Sequence, residues 1–240
     1  METYQEFLNR INSFEKNCWS FAPGNFEVNP SLAKKVGPDN SFRPFFGDTV
    51  VFYLDDRTQE QMAKWRDELY ANAPECFSER LAADTFHLTL HDLCNSGDFS
   101  EIAEEVEANR EKVRSLCKEI PKYNAIKMKS KCIFNMVNTS LVLGLYPADA
   151  EEHRKLVTLY KVFDGVKELP YSLTPHITLA YYSVHGFSEA SARKLETLVC
   201  RLNNGDLETE MEIVLEVKEL YYQNFDSMNH YTKVLPVYGE

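Results

Sequence analysis

Apolar residues open the chain at helical spacing: Tyr4, Phe7, Leu8, Ile11 and Phe14 share one face of a turn-by-turn repeat. Pro23-Gly24, Pro30, Gly37-Pro38 and Pro44 then interrupt any long regular element. Residues 1–47 therefore read as a helix followed by an irregular arm, either an extension packed on the main domain or a lid over a pocket. From residue 48 the pattern becomes regular. It predicts a buried strand over 49–54, a helix over 58–73 with Met62, Trp65 and Leu69 on one stripe, and a strand over 85–93. A helix follows, with Ser100 as its cap and Ile102, Val106, Val113, Leu116 and Ile120 on its apolar face, until Pro121 ends it. A strand over 125–134 completes the set.

The same order then recurs: a strand over 139–146, a helix over about 149–164, a strand over 174–182, a helix over 188–202 stopped near Gly205, and a strand over 211–222. Corresponding points keep a near-constant offset. Thr49 and Thr139 are 90 apart, His87 and His176 are 89 apart, and Ser100 and Ser188 are 88 apart. An offset that persists across different elements indicates internal duplication. Two βαβαβ lobes are expected, the first over 48–134 and the second over 135–225, with a pseudo-twofold axis placing a cleft between them.

Each lobe carries one copy of a six-residue phrase, Thr85-Phe86-His87-Leu88-Thr89-Leu90 and Thr174-Pro175-His176-Ile177-Thr178-Leu179. A lone strand histidine is ordinarily a satisfied structural residue, whereas a matched pair has chemistry to do. Alternation puts Thr85, His87, Thr89 and His91 on one face of the first motif strand, and Thr174, His176 and Thr178 together on one face of the second. Phosphodiester cleavage needs a base for the attacking oxygen and an acid for the leaving one. Two imidazoles, which titrate near neutral pH, can divide those roles. Thr89 and Thr178 can donate hydrogen bonds to the non-bridging oxygens as charge develops. This arrangement calls for no metal. His87 and His91 could share one, but Asp92 is placed on the opposite face and no third ligand is apparent.

The paired His-x-Thr phrases resemble the two-histidine (2H) phosphoesterase superfamily, which includes bacterial 2′-5′ RNA ligase-like proteins and cyclic phosphodiesterases. The resemblance covers roughly residues 48–225. It implies a bilobal α+β fold, with two mainly antiparallel sheets around a central cleft and helices outside. It also implies metal-independent reaction at 2′,3′-cyclic or 2′-5′ phosphodiesters, with catalytic roles on His87, Thr89, His176 and Thr178. The same chemistry run in reverse is a 2′-5′ RNA ligase, and a non-catalytic nucleotide- or phosphate-binding module would keep the cleft without turnover. The first copy departs from the family by continuing into His91-Asp92, where members tend to have apolar or small residues, and His91 has no counterpart in the second copy, where Ala180 sits.

Composition narrows the partners. A net charge of −11 over 240 residues opposes binding to long duplex nucleic acid, whose affinity rests on Lys and Arg. A small cyclic phosphate or short oligonucleotide needs only a local positive pocket, and a monomer without cofactor is expected. No apolar run is long enough for a membrane span, and the N-terminal residues lack a signal-peptide pattern, so the expected location is cytoplasmic. Six cysteines, among them Cys18, are scattered singly and read as reduced, mostly buried thiols. As further substrate contacts, His91 shares the motif face, Lys129 stands between Lys127 and Lys131 on one strand face, and Tyr182 can stack a base, as can Tyr171, Tyr181 and Phe134.

Overall fold

The computed structural model describes residues 2–17, 23–205, 207 and 210–238. Cys18 and the side chain of Phe14 lie outside the described residues. Among the described residues, eight strands form two four-stranded sheets, and every neighbouring pair is antiparallel. The strands are β1 (Phe46–Tyr53), β2 (His87–Ser96), β3 (Ala125–Met136), β4 (Ser140–Pro147), β5 (His176–Tyr181), β6 (Glu212–Glu216), β7 (Leu220–Ser227) and β8 (His230–Pro236). Five helices accompany them: α1 (Tyr4–Asn17), α2 (Asp56–Asn72), α3 (Ala103–Leu116), α4 (Ala150–Phe163) and α5 (Glu189–Asn204). The fold is α+β and two-lobed.

Helix starts follow local chemistry. Asp55, Asp149 and Ser188 each accept backbone N–H bonds at the head of α2, α4 and α5. Ser100 does not cap α3; Asp98 accepts from the Ser100 N–H and opens a short 3₁₀ turn instead. A carboxylate two residues earlier takes the position first, so the expected equivalence of Ser100 and Ser188 fails.

The sheets have strand orders β2-β1-β7-β8 and β5-β4-β3-β6. They do not follow the contiguous division into 48–134 and 135–225. Strand β3 lies in the second sheet, and β7 and β8 return from the end of the chain to complete the first. One reason is the Val137-Asn138 turn, where both residues have positive φ (43° and 59°) and Thr139 N–H donates to Met136 O at 2.9 Å. A tight three-residue connection of this hand, Val137 to Thr139, pairs β3 and β4 as a hairpin. The other is a 3₁₀ turn at Val217–Glu219, which splits the expected strand over 211–222 into β6 and β7, one in each sheet. Leu215, Val217, Leu220 and Tyr222 are all buried, so the apolar run continues while the backbone changes sheets.

One large core spans both halves, from Val50 and Phe52 on β1 to Leu143 and Leu145 on β4. The edge strands β2 and β5 lie alongside each other, which brings the two motif copies together. The arm before β1 is fastened to both halves. Asn40 O accepts from Glu79 N–H at 2.7 Å, Asn40 Oδ1 accepts from Val184 N–H at 2.9 Å, and Phe26 exchanges backbone bonds with Phe187. Helix α1 lies against α4 and β3, with Phe7 buried against the His153 ring.

Candidate active site

Both motif strands carry the same irregularity. On β2, Thr89 pairs with Val51 and His91 with Val50, so Leu90 is an extra residue; on β5, Thr178 pairs with Val142 and Ala180 with Leu141, so Leu179 is. An inserted residue restarts the inward–outward alternation in the opposite phase. His91 is therefore turned into the core and Asp92 into the cleft, the reverse of simple alternation. His91 is 1% exposed, with its ring 4.9 Å from that of Tyr160 and its Nδ1 2.9 Å from Asp92 O. It does not face His87 across a shared ligand site. The second copy shows the same switch: Tyr181 lines the cleft, while Tyr182 is fully buried against Phe26, Phe77 and Phe187.

The cleft is a cavity of about 590 Å³. His87, Thr89, His176 and Thr178 all line it, as do Thr85 and Thr174. Of the other expected contacts, Tyr171 and Tyr181 line it and the rest lie elsewhere. Lys129 pairs with Glu210 at 3.0 Å, and neither it, Tyr182, His91 nor Phe134 lines the cavity. Tyr171 does, and its hydroxyl donates to Asp92 Oδ2 at 3.1 Å.

The two histidines are held identically. His87 Nδ1 lies 2.7 Å from Thr85 O, and His176 Nδ1 lies 2.7 Å from Thr174 O. A carbonyl can only accept, so Nδ1 carries the hydrogen and Nε2 is left to meet a ligand, as acceptor when neutral and donor when protonated. Each carbonyl is itself placed by a local lock. The Thr85 hydroxyl donates to Ala82 O at 2.7 Å in the 3₁₀ turn Ala83–Thr85. At the second copy the lock comes from α1: Arg10 donates to Thr174 Oγ1 at 3.1 Å and to Leu173 O at 2.9 Å, while Glu2 holds the guanidinium through a two-pronged pair. The hydroxyls of Thr89 and Thr178 are engaged by no other described residue.

Burial lowers the imidazolium of His87 to about 4; the bond to Thr85 O opposes this, His176 adds to it, and Asp92 opposes it. Burial likewise lowers His176, against the bond to Thr174 O and the charge of Asp92, with Lys35 reinforcing the lowering. In the unliganded cavity at neutral pH His87 is a neutral base. Among the described lining residues, Lys35 and Asp92 are the side chains with a formal charge.

Sequence patterning missed several residues. Lys35 and Phe45 come from the irregular arm, which carries no periodic signal. Tyr231, 4.9 Å from the His87 ring in an edge-on contact, comes from β8, which lies beyond the last expected strand. Asp92 was visible but assigned to the wrong face. Among the described residues no group of three or more His, Cys, Asp or Glu is placed to hold a metal ion, and no helix is long and apolar enough to cross a membrane. Cys76, Cys94 and Cys132 are buried free thiols, and Cys117 and Cys200 are half-buried ones.

Fold and site together define a two-lobed α+β protein with duplicated His-x-Thr edges converging on one cavity. No family model matches the sequence, and no curated protein matches it. Solved structures do. A conserved protein of unknown function, ATU0111, from Agrobacterium tumefaciens superposes with a TM-score of 0.65 at 16% identity, over 88% of this chain and 94% of that one. A structure described as a phosphoesterase gives a TM-score of 0.48 at 16% identity, covering 80% of this chain and 97% of its own. E. coli LigT complexed with 3′-AMP gives 0.48 at 16% identity, with 80% and 96% covered. The fold is therefore shared with the Agrobacterium protein along most of both chains.

Proposed function

We propose that this chain is a phosphoesterase of the two-histidine superfamily, hydrolysing 2′,3′-cyclic phosphates or short 2′-5′ linked oligonucleotides. The observation that carries the reading is the matched pair of Nδ1-anchored imidazoles, His87 and His176, lining one cavity with the Thr89 and Thr178 hydroxyls. His87, with the imidazolium lowered to about 4, serves as base: its Nε2 takes a proton from water as the water oxygen bonds to phosphorus. The P–O bond to the departing ribose oxygen breaks, and protonated His176 gives that oxygen its proton. Substrate binding brings the negative charge that favours protonation of His176. Thr89 and Thr178 donate to the non-bridging oxygens, where charge accumulates. For a cyclic substrate the product is a ribose monophosphate with one free neighbouring hydroxyl.

The test presents purified protein with 2′,3′-cyclic nucleotides and with 2′-5′ linked dinucleotides, with and without EDTA, and follows products by chromatography. Expected is conversion by the wild type, unchanged by EDTA, and loss of turnover by roughly 10²–10⁴-fold in His176→Ala. Wild-type turnover in a His87→Ala/His176→Ala double variant overturns the assignment. Accumulation of 2′-5′ joined product from cyclic-phosphate and 5′-hydroxyl ends redirects it to ligation.

A further inference from the structure

The cavity has two poles of charge, and one of them belongs to neither lobe. Lys35 sits at the end of a 3₁₀ turn, Pro30–Lys34, within the arm. The arm holds it in place through its backbone. Lys35 N–H donates to Leu32 O and Lys35 O accepts from Arg43 N–H, both at 2.9 Å, while Val36 bridges to Phe42. The loop beyond is tied to lobe one, with Phe42 N–H donating to Glu79 Oε2 at 3.0 Å. It is tied to lobe two through His185 Nε2 on Pro38 O at 2.7 Å.

The side chain points its charge over two rings. Lys35 Nζ lies 5.4 Å from the ring centroids of Phe45 and of Tyr181. Both rings line the cavity, and Tyr181 follows His176 and Thr178 on β5. No ion pair holds Lys35 among the described residues, although the chain carries 37 Asp and Glu against 26 Lys and Arg. An ammonium group stacked over aromatic faces loses part of its water without acquiring a carboxylate, so its charge remains available to an incoming anion. The opposite pole is Asp92, on the β2 side and bonded by Tyr171. With two imidazoles neutral when the cavity is empty, an anionic phosphate entering an acidic protein meets one fixed positive charge there.

Resting on the two-histidine reading of the cavity, we propose that Lys35 is a substrate-binding residue that supplies the counter-charge for the substrate phosphate. The N-terminal arm is then a wall of the substrate site rather than an appendage, and its charge sets the preference for anionic phosphodiesters. A substrate lies with its phosphate toward Lys35 and the β5 side, and with hydrogen-bond donors of its sugar or base toward Asp92.

The experiment compares the wild-type protein with Lys35→Met, Lys35→Gln and Lys35→Arg, with folding checked by circular dichroism. Inorganic phosphate binding is measured by calorimetry, and 2′,3′-cyclic AMP turnover is measured across a salt series. Expected for Lys35→Met and Lys35→Gln is a phosphate Kd and a KM weakened roughly 10–100-fold, the worth of a charge-assisted contact. Their kcat should change far less than KM, and salt should inhibit them less than the wild type. Lys35→Arg should restore most of the affinity. Wild-type phosphate affinity, KM and salt sensitivity in a folded Lys35→Met or Lys35→Gln overturns the proposal. Phosphate binding needs no turnover, so a Lys35 effect on binding with no hydrolysis by the wild type separates failure of the catalytic reading from failure of this one.

Discussion

The two motif copies agree around the two imidazoles and disagree one layer out. Both histidines are tied through Nδ1 at 2.7 Å to the carbonyl two residues before, both threonines line the cavity, and both strands gain an extra leucine at the next position. Beyond that leucine the copies separate. His91 and Asp92 on β2 correspond to Ala180 and Tyr181 on β5, so the cleft-facing position is a carboxylate on one side and an aromatic ring beside Lys35 on the other. A phosphodiester has two chemically different ends. A duplicated protein can serve it by keeping the symmetric parts at phosphorus and varying the walls that meet the two ends.

The largest test of that division is at the histidines themselves. His87→Ala and His176→Ala should each lower turnover roughly 10²–10⁴-fold on a ribose leaving group. If His87 is base and His176 acid, a substrate with an aryl leaving group, which departs without a proton, should recover most activity in His176→Ala and little in His87→Ala. Equal recovery in both would make the copies interchangeable. The threonines should behave alike: Thr89→Val and Thr178→Val each remove one donor to the non-bridging oxygens, with kcat falling roughly 10²-fold. A large effect at one and none at the other would show that the symmetry ends at the imidazoles.

Asp92 probes the asymmetric layer. Its negative charge raises both imidazolium groups against the lowering by burial. Asp92→Asn removes that support, so the acid form is lost at lower pH and the alkaline limb of the kcat/KM profile should move to lower pH. An unmoved limb would detach Asp92 from the pair. The smallest catalytic effect is expected at His91, which is 1% exposed and packed on Tyr160 and Phe163. His91→Ala should leave kcat within a few-fold while melting temperature falls by roughly 2–8 °C, the effect of about 1–2 kcal/mol in a chain of this size. The reciprocal Ala180→His forces an imidazole into a fully buried position and should also destabilise, by about 1–3 kcal/mol.

Much of this was legible in the sequence. The repeat of His-x-Thr at an offset of 89, the order of elements and the two lobes can be read from alternation and spacing, because those patterns record burial directly. The errors at the cleft face and at the last expected strand share a physical origin: the backbone changes direction without changing the apolar pattern. Leu90 continues a run that alternates in sequence, yet it sends His91 into the core and Asp92 into the cleft. Val217 does the same at larger scale, keeping the pattern of a single strand while the backbone passes between sheets. Strand β8 escaped because it is mostly exposed, with no buried position to set an alternation, and Lys35 because an irregular arm has no period to read.

The exchange of strands between the halves also governs the order in which the protein can form. Thr49 on β1 pairs with Gln223 on β7, so the first sheet lacks half its members until residues 220–236 have left the ribosome. The second sheet waits less, because β3, β4 and β5 follow one another and only β6 arrives late. During synthesis β1 therefore presents an open edge until β7 emerges, a condition that favours chaperone capture and slow, late closure over domain-by-domain folding. The two motif edges are alike, but the molecule is not two units that can be separated: cutting near residue 135 leaves neither piece with a complete sheet.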